Sequence, residues 1–171
     1  MYTLLLTLRI IHIVCGVFWA GTIFFMTFYI LPAVERSGPD GGKIMQSITS
    51  TNKFAVVVPV MALLTILSGL MLIWKASGGF TPFWFTTNYG LTLTIGGAFA
   101  IIAFIHGMVV NKPRVTRMEK IAKELALRGG PPTEQERNEM MSIRVTVFRT
   151  TRWLACWLGI TVVAMAVARY I

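Results

Sequence analysis

Apolar residues run along this chain in four long blocks, and polar residues gather in the connections between them. The blocks lie near residues 4–31, 54–74, 89–110 and 153–170. Each has about the 20 residues that an α-helix needs to cross a hydrocarbon core. The pattern predicts an all-α polytopic membrane protein, a four-transmembrane-helix bundle formed as a single domain over residues 1–171. The first block has the position of a secretory signal but not its form. Its apolar run is too long, only Arg9 precedes its core, and no small-x-small cleavage pattern follows, so it is expected to stay as a helix.

The connections differ in kind. After Leu31-Pro32 comes the turn-forming cluster Ser37-Gly38-Pro39-Asp40-Gly41-Gly42. A helix is then expected from Lys43 to Lys53, continuing into span two, where Pro59 removes a backbone donor and predicts a kink. The second connection, Ser77 to Phe85, is short and aromatic, as suits the headgroup region. The third, residues 111–150, is the sizeable one. Val115, Met118, Ile121, Ala122 and Leu125 recur at helical spacing, Gly129-Gly130-Pro131-Pro132 breaks the helix, and Thr133 with Glu136 fits a capping box for the next one. Met140, Met141, Ile143, Val145 and Val147 lead into span four. A helical hairpin extending spans three and four follows, either a solvated extension or a docking surface. Small residues at four-residue spacing (Gly16/Ala20, Gly96/Ala100, Ala103/Gly107, Ala155/Gly159, Ala164/Ala168) allow close helix approach.

Charge adds orientation. The net charge is +9, and only 13% of residues are charged, about half the usual globular share. Ten Lys and Arg residues lie between spans three and four, from Lys112 to Arg152, and Arg36, Lys43 and Lys53 lie in the first connection. The other side carries Lys75, Arg9 and Arg169. The positive-inside rule places the hairpin in the cytoplasm and both termini outside, in a bacterial inner membrane. The expected partners are the bilayer, anionic lipids at the basic face and other membrane subunits. Nucleic acid is excluded, since no basic module with interleaved aromatics is present.

Chemistry concentrates on two histidines, His12 and His106, each inside an apolar run. An ionisable side chain there marks a functional-site candidate. His12 is the stronger, as a haem or metal ligand: Arg9, one turn earlier, is placed to pair with a propionate, and Gly16, one turn later, leaves room for a flat macrocycle. The alternative for His12 is an interhelical hydrogen bond to Thr or Ser, or a contact with a partner subunit. His106 reads as packing. Counting about 1.5 Å per residue, His12 lies roughly 10 Å below the outer edge and His106 roughly 25 Å, so one haem held by both is not expected. At the depth of His12, Met165 is the favoured second ligand, with Met71 comparable. Cys15 and Cys156 sit at opposite depths and share neither a disulfide nor a metal. All seven acidic residues fall outside the spans, which argues against proton-linked transport.

The pattern Arg9-x-x-His12-Ile-x-x-Gly16-x-x-Trp19-x-Gly21, continuing to Leu31-Pro32-Ala33, resembles the first span of bacterial proteins related to the copper-resistance D domain. The closing Met165-Ala166-x-Ala168-Arg169-Tyr170 is similar to the end of small four-helix membrane proteins of that group. The resemblance implies four transmembrane helices and a metal or haem near His12. A more distant resemblance is to HemJ-type protoporphyrinogen oxidases, which share a His followed seven residues later by Trp but carry Arg after Leu-Pro, where this chain has Ala33.

With no paired ligands or intramembrane carboxylates, the chain is expected to be a non-catalytic accessory subunit of a larger respiratory or photosynthetic membrane complex. Two alternatives stand beside it. One is a membrane redox protein holding b-type haem or another tetrapyrrole through His12, and the other is a copper-handling protein.

Overall fold

The computed structural model describes residues 2–38, 41–42, 45, 47–48 and 53–171. The described residues are helical almost throughout and include no strand. Helix α1 spans Tyr2–Phe25 and passes through a π-helical segment, Met26–Ile30, into α2, Leu31–Arg36. Helix α3 covers Phe54–Ala76, and α4 covers Asn88–His106. A second π-helical segment, Gly107–Asn111, joins α4 to α5, Lys112–Arg128; α6 runs from Glu134 to Val167. Four continuous helical stretches (Tyr2–Arg36, Phe54–Ala76, Asn88–Arg128, Glu134–Tyr170) are long and apolar enough to cross a membrane.

α1 packs most extensively on α3, and α4 on α6; α3 against α4 and α1 against α6 close the ring. The core between them is Trp19, Val58, Ala62, Ala100, Ala103, Leu154 and Leu158. Small residues let the backbones approach. A Cβ on Gly96 would lie 3.0 Å from the Ala164 Cβ, so this glycine is what lets α4 meet α6 so closely. Thr161 Oγ1, 3.1 Å from the Gly96 carbonyl oxygen, adds a polar link at the same crossing. Gly159 faces open space and takes no part.

The hairpin grows out of the bundle without a break. α6 has 34 residues, about 50 Å at 1.5 Å per residue, so it outreaches a ~30 Å hydrocarbon core. Ile121 is buried in the seam, with Val115, Met118, Ala122 and Leu125 partly covered. Met141 and Val145 instead face outward, so the apolar run leading into α6 does not all join the seam. Gly129 ends α5 with φ 69°, a left-handed conformation that glycine adopts without steric cost. Thr133 and Glu136 form the reciprocal capping box at the start of α6. Arg128 grips Glu136 at 3.2 and 2.9 Å, and Arg117 grips Glu139 at 2.7 and 3.0 Å.

Two expectations change. The helix from Lys43 falls largely outside the described residues, and at its end Lys53 is left-handed (φ 51°), so the helix of span two begins afresh at Phe54. The aromatic connection is not wholly superficial either. Trp84 is buried, donating from Nε1 to Thr94 Oγ1 at 3.0 Å and meeting Tyr89 edge to face, while Phe83 and Phe85 stay exposed.

Candidate cofactor site

Span two is a run of Val, Leu, Ile and Met interrupted by Thr65, Ser68 and Gly69. These three positions share a helix face, and α1 packs against it. There the His12 ring lies against Gly69: a Cβ on that glycine would come 2.7 Å from His12 Cε1 and 3.0 Å from Nδ1. One turn along, Gly16 meets Thr65, whose Cγ2 lies 3.3 Å from where a Cβ would be. The bare surface of Gly16 therefore lets Thr65 in, as well as bordering the cavity described below.

His12 Nδ1 lies 2.8 Å from the Thr65 carbonyl oxygen. A carbonyl only accepts, so Nδ1 carries the proton and donates. The neutral ring then holds its lone pair on Nε2. Ser68 Oγ, 3.5 Å from Nδ1, is a weaker neighbour whose hydroxyl is better placed toward the Leu64 carbonyl at 2.6 Å. Histidines that bind metals characteristically donate their second ring N–H to a carbonyl or carboxylate, which fixes the tautomer and aims the ligating nitrogen. The interhelical hydrogen bond expected as an alternative to ligation is thus present, and it orients the ring as a ligand requires.

His12 lines a cavity of about 400 Å³ with walls from all four spans. Gly16 and Trp19 come from α1, Thr65 and Gly69 from α3, Gly97 and Ala100 from α4, and Thr161 and Met165 from α6. Ile13 and Val17 on α1, Leu70 on α3 and Val162 on α6 are exposed lining residues, so the cavity reaches the outer surface of the bundle. No charged side chain lines it among the described residues; its polar groups are His12, Thr65 and Thr161. Its floor is Trp19, 4% exposed.

The structure brings His12, Gly16 and Met165 to this one cavity. Arg9 stays outside it, exposed and without a hydrogen bond or ion pair to any described residue. Met71 is half exposed and does not reach the cavity. His106 lies elsewhere, its ring edge to face with Trp157 at 4.8 Å between centroids, and its Nε2 buried without a partner among the described residues. Sequence reasoning missed Thr65 and Gly69. Their signal was readable, since Gly69 is the only glycine in span two and Thr65 and Ser68 its only hydroxyls.

Among the described residues no three His, Cys, Asp or Glu side chains converge. Cys15 is buried and Cys156 exposed, and they form no disulfide. An ion held by protein ligands alone would have one imidazole and one thioether here, too few for a stable site. A tetrapyrrole brings four nitrogens of its own and needs only axial ligands. The donor set fits that group better than a bare metal. Comparison with protein-family models, curated proteins and solved structures returns no match.

Proposed function

We propose that this chain is a membrane-embedded tetrapyrrole protein, with b-type haem as the candidate group, which His12 would hold through Nε2, with Met165 on the wall supplied by α6. One observation carries the reading: His12 lines a four-helix cavity with its Nδ1–H committed to the Thr65 carbonyl, so Nε2 is the ring nitrogen with a lone pair to offer. When bound, such a group supplies one-electron chemistry. The protein residues supply the tautomer (Thr65), the ring position (Gly69) and an apolar surround that disfavours charge. Arg9, on the helix turn before His12, suits a propionate reaching the membrane surface. The distribution of Lys and Arg supports a cytoplasmic hairpin and both termini outside, and the resemblance of the first span to bacterial proteins suggests a bacterial inner membrane as the location.

Protein produced with haem supplied and purified in mild detergent tests this. A Soret band is expected in the wild type and in His106→Ala, lost in His12→Ala, and altered in position or potential in Met165→Leu. A wild type without the band, or a band unchanged in His12→Ala, overturns the reading. Absence of the band with co-purifying membrane subunits would favour a non-catalytic accessory role in a respiratory or photosynthetic complex. Copper in the purified protein, lost in His12→Ala, would favour copper handling.

A further inference from the structure

A second cavity, of about 160 Å³, lies on the other side of Trp19, toward the hairpin. All four spans contribute to its walls, with Trp19, Pro59, Ala103 and Leu154 among them. Two helices depart from regular α geometry around it, and a third carries a proline. The π-helical segment Met26–Ile30 presents Met26, the π-helical segment Gly107–Asn111 presents Gly107, Met108 and Asn111, and span two presents Pro59. A π-helical turn inserts a residue at the expense of regular hydrogen bonding and is frequent at functional sites. A proline costs the helix a backbone donor. Two π-helical turns and a proline, on three separate helices, thus border one cavity.

The two ends of this cavity differ. The deep end at Trp19 is apolar. The hairpin end carries Asn111, Lys112, Thr116 and Thr151, of which Asn111 is held by Thr150 (2.5 Å) and Thr151 (3.2 Å). There it adjoins an open recess of about 500 Å³ bordered by Met108, Lys112, Pro113, Thr116, Arg117 and Lys120. Met108, Lys112 and Thr116 belong to both. No carboxylate lines either space among the described residues. Arg117 is held by Glu139, and Lys120 has Glu124 at 3.9 Å. Lys112 is the recess cation with no ion pair among the described residues. An apolar slot that opens on a basic recess where the membrane span ends matches an amphiphile with an apolar chain and an anionic phosphate head.

We infer that this joined space binds one anionic phospholipid, an acyl chain entering beside Trp19 and the phosphate meeting Lys112, with Lys120 nearby. This is a single built site, distinct from general attraction of the basic face to the membrane, and it does not depend on what His12 holds. Native mass spectrometry of the full chain in detergent tests it with phosphatidylglycerol, phosphatidylcholine of the same chains, and inorganic phosphate. The expected result is one phosphatidylglycerol retained per chain, with phosphatidylcholine and free phosphate failing to displace it. Lys112→Gln should weaken retention about fivefold, the loss expected for one cation near an anionic headgroup. Met108→Trp, which fills the junction, should abolish retention; its unliganded thermal midpoint, compared with wild type, shows whether it has folded. Equal retention of the two lipids shows general lipid contact and overturns the inference. Displacement by inorganic phosphate alone, or unchanged retention in Lys112→Gln, overturns it equally.

Discussion

His12 and His106 occupy similar sequence surroundings, each within a helix and flanked by Ile, Phe, Val or Ala. Their neighbours across the helix interface make them chemically different. His12 meets a helix face of Thr65, Ser68 and Gly69, which accepts its Nδ1–H at 2.8 Å, and the residue lines a cavity. His106 meets Trp157, a large aromatic surface that holds the ring edge to face. A small residue opposite a histidine makes room for ring, hydrogen bond and ligand; an indole opposite a histidine fills the space. Composition along one helix is silent on this, because the deciding residue is on another.

The largest perturbation of this contrast is Gly69→Leu. Its Cβ falls within 3.0 Å of two atoms of the His12 ring, and Gly69 is backed by its own helix, so the ring must leave its position. A destabilisation of about 1–3 kcal/mol is expected from overpacking, together with complete loss of any His12-dependent absorption band. Thermal midpoint and visible spectrum on the same sample check both.

At the other end Trp157→Ala removes the surface that holds His106. About 2 kcal/mol is expected, below the range for a core Trp because Trp157 is only partly buried. The His12 site should keep its spectrum, and a change there would mean that the two ends are coupled.

The hairpin beyond His106 tests how independent that end is. Thr133→Ala deletes the cap of α6 and should cost about 1 kcal/mol, read as earlier proteolysis at Gly129-Gly130. Glu136 in the same cap has its pKa lowered to about 2, first by Arg128 and then by Thr133. A carboxyl depressed on folding contributes its full stabilisation above its ordinary value of 4.5 and loses it as pH falls toward about 2. The hairpin should therefore loosen in acid across that window, and Glu136→Gln should remove the Glu136 share of this dependence, leaving that of Glu139, whose pKa is also lowered, first by its hydrogen bond to Arg117. Hydrogen exchange of the hairpin amides at stepped pH measures it.

The smallest effect is expected for His106→Phe. It removes a buried nitrogen that has no partner among the described residues and keeps a ring against Trp157. Stability should be unchanged or raised by up to about 1 kcal/mol. A clear loss of stability would show that His106 does more than pack.

Much of the architecture was legible from the chain alone. Four apolar blocks, the Gly-Gly-Pro-Pro break and the Thr133/Glu136 capping box specify helices, their ends and the hairpin, because helix length, backbone permissiveness and capping are local properties. That His12 and His106 do not share one site was legible too, since helix direction and rise separate them along the bundle. Tertiary structure decided the rest. Only the packing of α1 on α3 supplies the Thr65 carbonyl and the Gly69 cradle, seats Met165 on the same cavity as His12 and leaves Arg9 and Met71 outside it. Only the meeting of four helices encloses a cavity on either side of Trp19. Helix formation is written in neighbouring residues, whereas a site is a coincidence of faces from different helices, fixed by how closely their backbones approach.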